Sequence, residues 1–311
     1  MRHPCSFGPP WCRAAGRWAL ATALAGATIG LGGPSYAGPA GAPTRAGAAT
    51  APSRGQDGGE ASQLTASVPK GRGPVDVLYA GSLTQLMEAT VGPSFDRATG
   101  FHFVGFAGGS QQLAAEIRGR LVPADVFISA SPTVDASLEG KAGGNWLASY
   151  RVFATSRLVL AYNPHSRFAA ELRRRPWYQV VGQAGFRLGR TDPRVDPKGV
   201  LAEKALLQAA ARYHEPALRR AAQAQGDVFP EESLVGRLQS GQVDAGFFYL
   251  TEAVTARLPT VPLTGYDFYA TYTVAALNRA PHPAGAAAFI AYLSSPPGRA
   301  LLSRAGLSLP A

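Results

Sequence analysis

Thr191–Gly199, TDPRVDPKG, carries two Asp-Pro steps and ends on a glycine that opens an apolar helical pattern. Asp is a favoured N-cap and Pro suits the first helical position. Asp192 is therefore expected to begin a turn, and Asp196 to cap a helix from about Pro197 to His214. Working outward, Phe186–Arg190 reads as a strand feeding this loop, and a second helix is expected over Pro216–Gln225. Pro230-Glu231-Glu232-Ser233 then starts a helix to about Ser240, and Val243–Phe248 reads as a strand ending at Tyr249-Leu250-Thr251-Glu252. Strands and helices alternate, as in an α/β unit.

A like unit lies upstream. Val75–Tyr79, Phe101–Phe106 and Asp125–Ile128 read as short buried strands, with helices over Leu83–Ala98 and Gln111–Leu121 between them. That alternation argues for a mainly parallel, doubly wound sheet, whose ligands bind beyond the carboxyl ends of the strands. Ser82, Ser110 and Ser129 each follow a strand and should line one edge. Ser82, with Gln85 three positions on, fits a capping box. A serine at a helix N-terminus joins a hydroxyl to unpaired N–H groups, which suits an anion; as a plain N-cap it contributes about 1 kcal/mol.

Arg151–Asn163 is too long for one strand of a small sheet, and Thr271–Leu277 is a second extended segment. Two α/β lobes joined by two extended crossings make a clamshell with a ligand cleft. The expected division is 74–155 with 272–311 in one lobe and 156–271 in the other.

Residues 1–37 read as a secretory signal peptide: Arg2, Arg13 and Arg17, an apolar run Trp18–Leu31, then Ser35-Tyr36-Ala37. Gly38–Gly73 is rich in small residues and proline and reads as a disordered linker. Both cysteines, Cys5 and Cys12, lie in the leader, so the exported chain is expected to have no disulfide. Three of the +10 net charges also lie there, and the rest are scattered. No basic stripe interleaved with aromatics appears, which argues against nucleic acid. His102, His165, His214 and His282 stand near no glycine-flanked serine, and no G-x-S-x-G or zinc-ligand spacing occurs, which argues against a secreted hydrolase.

From Val75 onward the chain resembles the extracellular binding proteins of molybdate and tungstate ABC importers, and the archaeal-type branch more than the commoner bacterial one. The matching pieces are LYAGSL (78–83), AGGS (107–110), ADVFISAS (124–131), FATSRLVLAYNPHS (153–166), PWYQVV (176–181), GRTDPRVDPKG (189–199) and FPEESLVGRLQSGQVDAGFFYLTEA (229–253). The resemblance implies a two-lobe type II periplasmic-binding fold that holds one tetraoxyanion between its lobes and docks on an ABC permease, with no cofactor. It places Ser82 and Ser110 on the oxyanion from one lobe, and Asp196, Glu232 and Tyr249 from the other. Ser129, Asp192 and Glu231 are secondary candidates, since Glu231-Glu232 allows a slip of one residue. Val200-Leu201 stand where the family often has a Tyr-Arg pair.

Two carboxylates facing a dianion in a dry cleft should repel it. Either Asp196 and Glu232 ligate the molybdenum or tungsten itself, expanding four-coordination to six, or one carboxyl keeps its proton and donates. The first option favours molybdate and tungstate over sulfate. A sulfate, phosphate or ferric binder is the alternative, with Tyr266, Tyr269 and Tyr272 as ferric candidates. A monomer, exported outside the membrane, is expected.

Overall fold

Val75, Val77, Leu78 and Tyr79 are all buried, the run of a strand covered on both faces. In the computed structural model, which describes residues 67–310, they lie in β1 (Pro74–Ala80). The expected signal peptide, and the expected linker up to residue 66, lie outside the described residues. Strand β1 pairs in parallel with β2 (His102–Gly108) and β3 (Val126–Ser129). The carboxyl ends of all three therefore point to one edge.

The remaining strands are β4 (Arg151–Tyr162), β5 (Leu188–Gly189), β6 (Ala245–Tyr249), β7 (Thr260–Pro262) and β8 (Tyr269–Ala276). The order is β2-β1-β3-β8-β4-β6-β5, with β7 on β4. Among the strands of the described residues, the parallel pairs are β1–β2, β1–β3 and β5–β6. The sheet is thus mixed rather than mainly parallel, because β8 and β4 run antiparallel to every partner. The length of β4 has the meaning read from it: Arg151–Arg157 pair with β8, and Leu158–Tyr162 with β6. One strand joins the two lobes of a type II periplasmic-binding fold.

Helices α1 (Gly92–Thr99), α2 (Ser110–Gly119), α3 (Pro197–Arg212), α4 (Pro216–Gln223), α5 (Leu234–Gln239), α6 (Leu250–Thr255), α7 (Pro283–Ser294) and α8 (Pro296–Arg304) cover the sheet. Along α3 the buried residues Ala202, Ala205, Leu206, Ala209 and Ala210 recur at helical spacing and set its inner stripe. Before α1, a π-helical turn at Met87–Val91 brings the Gly92 N–H back to the Met87 carbonyl, one residue ahead of Pro93. Under β1 and β2, the ring of Phe95 meets that of Phe289 edge-on at 5.1 Å, one of several aromatic contacts that each add about 0.5–1.5 kcal/mol beyond burial. Buried Asp125 accepts hydrogen bonds from the backbone of Asp76 and of His282 and from the His282 ring, which pins the start of α7 to β1 and β3.

Candidate binding site

Asp196 caps α3 as its position before Pro197 requires, with Oδ1 accepting from the Lys198 N–H at 3.0 Å. Only one oxygen is used. Asp196 Oδ2 is buried and makes no hydrogen bond within the protein. The cap thus uses one oxygen of the carboxylate and leaves the other without a protein partner.

Glu231 comes to the same point from a 3-10 turn at Glu231–Ser233. Its Oε1 lies 3.0 Å from Lys198 Nζ, and its Oε2 is likewise buried and unpartnered. Burial pushes the Glu231 carboxyl well above its ordinary value, and the nearby Asp196 charge pushes it further, against the pull of Lys198. A Glu231 carboxyl that keeps its proton is also repelled less by the nearby Asp196.

Lys198 is wholly buried, and its Nζ also sits 2.8 Å from Glu252 Oε1. The other Glu252 oxygen accepts from the Tyr249 N–H at 2.8 Å, which caps α6. Tyr249 presents a buried hydroxyl with no partner. Its ring stands edge-on to Tyr272 at 6.0 Å, and the Tyr272 hydroxyl meets Ser82 Oγ at 2.8 Å. Ser110, fully buried at the start of α2, accepts from the Ala130 N–H.

The lobes touch around this centre. Gly81 lies so close to the Glu231 side chain, and Gly109 to the Val195 carbonyl, that neither position has room for a Cβ. Gln112 donates its backbone N–H to Val195 O across the same seam at 3.2 Å. Cavities of about 230 and 250 Å³ flank the centre: one lined by Ser82, Glu231 and Glu252, the other by Gly109, Asp196 and Glu231. Glu231 borders both. A larger groove of about 820 Å³ lies away from these residues, between β8 and α7, and holds no such cluster.

Of the residues singled out in the sequence, Ser82, Ser110, Asp196 and Tyr249 are buried around the lobe seam. The carboxylate beside them is Glu231, whereas Glu232 is exposed, because the tight turn at 231–233 sends adjacent side chains opposite ways. Asp192 lies outward, ion-paired with exposed Arg194 at 2.6 Å, which holds its carboxyl low. Ser129 closes a local turn with Ser131. The capping box expected of Ser82 and Gln85 is not formed, since the Ser82 hydroxyl is turned to Tyr272. Tyr266, Tyr269 and Tyr272 do not converge: Tyr269 is exposed against Arg157, and Tyr266 stacks on Phe268. Lys198 and Glu252 are the additions, and Tyr272, read above only as a ferric candidate, stands at the centre through its bond to Ser82. Glu252 had a readable signal, an acidic residue at the third position of a helix after Tyr249, but that stretch reads as the end of a strand.

The raised carboxyls have a consequence for stability. Native Glu231 keeps its proton above pH 4.5, where the unfolded chain has lost it, and Glu252 and Asp135 (at about 6) act in the same direction, each raised chiefly by burial. Unfolding then releases protons, so stability falls as pH rises through this window. Carboxyls held low, such as Asp192 and Asp244, lose their contribution only on acidification below their ordinary value of 3.8. Urea midpoints from pH 5 to 8 should therefore decline, and Glu231→Gln should flatten the slope; an unchanged slope would remove Glu231 as the proton holder.

Residues 75–308 match the family of bacterial extracellular solute-binding proteins. The chain belongs to that family. A putative ABC transporter molybdenum-binding protein of Haloferax volcanii is 31% identical over 191 residues, 61% of this chain and 59% of that protein. This chain therefore matches less than two thirds of that relative's length. The molybdate/tungstate-binding protein WtpA of Pyrococcus abyssi is 24% identical over 144 residues, 38% of this chain and 42% of its own. Among solved structures, the periplasmic molybdate-binding protein of Azotobacter vinelandii superposes with a TM-score of 0.60 at 22% identity, covering 76% of this chain and 100% of that one. This last likeness concerns the fold. Among the described residues, no helix is long and apolar enough to cross a membrane.

Proposed function

We propose that this protein captures molybdate or tungstate between its lobes, outside the cell membrane, and delivers it to an ABC permease. The observation that carries the reading is the meeting of Asp196 and Glu231, each buried and each with one oxygen left without a partner. Two such oxygens suit a hard, high-valent metal able to add two ligands. Sulfur in sulfate has no comparable expansion, and without it a dianion would meet two carboxylates in a dry site. Ser82, Ser110 and the hydroxyls of Tyr249 and Tyr272 are placed to donate to the oxyanion's own oxygens. The Ser82 hydroxyl is bonded to Tyr272 and that of Ser110 to the Ala130 N–H, neither to a histidine base. The function is capture rather than chemistry.

In this reading residues 74–155 and 272–311 move as one lobe and 156–271 as the other, opening at β4 and β8. The leader exports the chain. The names of the Haloferax and Pyrococcus relatives support the choice of ligand. Calorimetric titration with molybdate, tungstate, sulfate, phosphate and ferric citrate tests it. Molybdate and tungstate should bind, and X-ray absorption at the molybdenum edge should show six oxygen neighbours. Equal affinity for sulfate, or a four-coordinate bound metal, would defeat the carboxylate-ligation argument.

A further inference from the structure

The centre contains three carboxylates, Asp196, Glu231 and Glu252, all buried, with a single buried cation among them. Lys198 ties all three together. Its backbone N–H bonds Asp196, and its Nζ lies 3.0 Å from Glu231 and 2.8 Å from Glu252. The ammonium is also held 5.1 Å from the Phe248 ring centroid and 5.9 Å from that of Tyr249. Glu252 is itself locked from behind by the Tyr249 N–H, so the Lys198–Glu252 pair is a rigid fixture rather than a flexible surface contact.

Without that ammonium, three carboxylates and two tyrosine hydroxyls would form an all-oxygen, strongly negative cage. Such a cage suits a bare hard cation, for which carboxylate sets are the usual hosts. With it, the centre as a whole carries one negative charge fewer. An ammonium also has three N–H donors, and two are engaged by Glu231 and Glu252. Nζ makes no other polar contact among the described residues and borders neither flanking cavity, so it acts on the site through its charge and through the carboxylates it holds.

We propose that Lys198, positioned by Glu252, is the specificity-determining residue of the site: it admits a metal oxyanion and rejects the free metal cation. This rests on the oxyanion reading above. A purely structural role is the competing account, in which Lys198 serves only to neutralise Glu252.

The test titrates molybdate and Mn2+ separately into the wild-type protein, Lys198→Met and the double variant Lys198→Met/Glu252→Leu. The double variant keeps the same formal charge at the centre as the wild type and removes the buried charge that Lys198→Met leaves unpaired, so it guards against failure to fold. Lys198→Met should weaken molybdate by about a hundredfold or more, the scale of truncating one member of a buried charge pair, and should acquire Mn2+ binding that the wild type lacks. The double variant should fold but not regain molybdate. Recovery of molybdate in the double variant to within about threefold of wild type would overturn the proposal in favour of the structural role. So would a folded Lys198→Met that keeps molybdate and gains no Mn2+. If the wild type binds no tetraoxyanion, the functional reading fails instead, and the gain or absence of Mn2+ binding in Lys198→Met alone decides the role of Lys198.

Discussion

Glu231→Ala should raise the dissociation constant for molybdate by about a hundredfold or more, whereas Glu232→Ala should change it by less than about threefold. The two residues are adjacent in sequence and chemically identical, so the contrast isolates position. Glu231 is buried at the seam with a free oxygen, and Glu232 is exposed. Stability offers an internal control. Removing Glu231 leaves Lys198 paired with Glu252 at 2.8 Å and relieves the contact with Asp196, so the unliganded variant should unfold within about 1 kcal/mol of wild type. A lost affinity with retained stability assigns Glu231 to the ligand. The reverse pattern, with Glu232→Ala the damaging change, would return the site to the carboxylate that the resemblance placed first.

Gly109→Val should weaken binding by roughly fivefold to a hundredfold and shift the protein toward an open form. Gly109 has φ −62°, ordinary for any residue, so the substitution imposes no backbone strain on its own lobe. A side chain there would instead run into the Val195 carbonyl on the other side of the seam. Carbonyl oxygens of a loop that also caps a helix cannot retreat cheaply, and overpacking of this kind costs about 1–3 kcal/mol, which converts to that range of affinity. The cost falls only on the closed form. Small-angle scattering should accordingly report a larger radius of gyration for Gly109→Val with molybdate than for the wild type with molybdate. Wild-type affinity and compaction together would show that closure does not bring Gly109 against Val195.

Much of this molecule follows from local pattern. The apolar run of β1, the cap-and-proline signal at Asp196–Pro197 and the excessive length of Arg151–Asn163 each report a constraint that acts within a few residues: burial on two faces, an unpaired helix end, a strand longer than one small sheet can use. Those signals gave the alternation, the crossing strand and the loops that line the cleft. The antiparallel course of β8 was not among them, because strand direction depends on which partner lies alongside.

The site divides along the same line. By itself the sequence determined that Ser82, Ser110, Asp196 and Tyr249 stand at element ends, where backbone donors and polar side chains are free to meet a ligand. Only the tertiary structure shows that Glu231 is buried at the seam and Glu232 exposed, since a one-residue shift in a tight turn reverses the direction of a side chain while leaving the composition of the turn unchanged. It also decided the place of Lys198 and Glu252, which lie far apart in the chain and meet where α3 packs on β6. A lysine in a first helical turn looks like any solvated charge until its surroundings are known. Burial and the identity of its partners are properties of the assembled fold, and they turn this lysine into the one cation at the centre of the cleft.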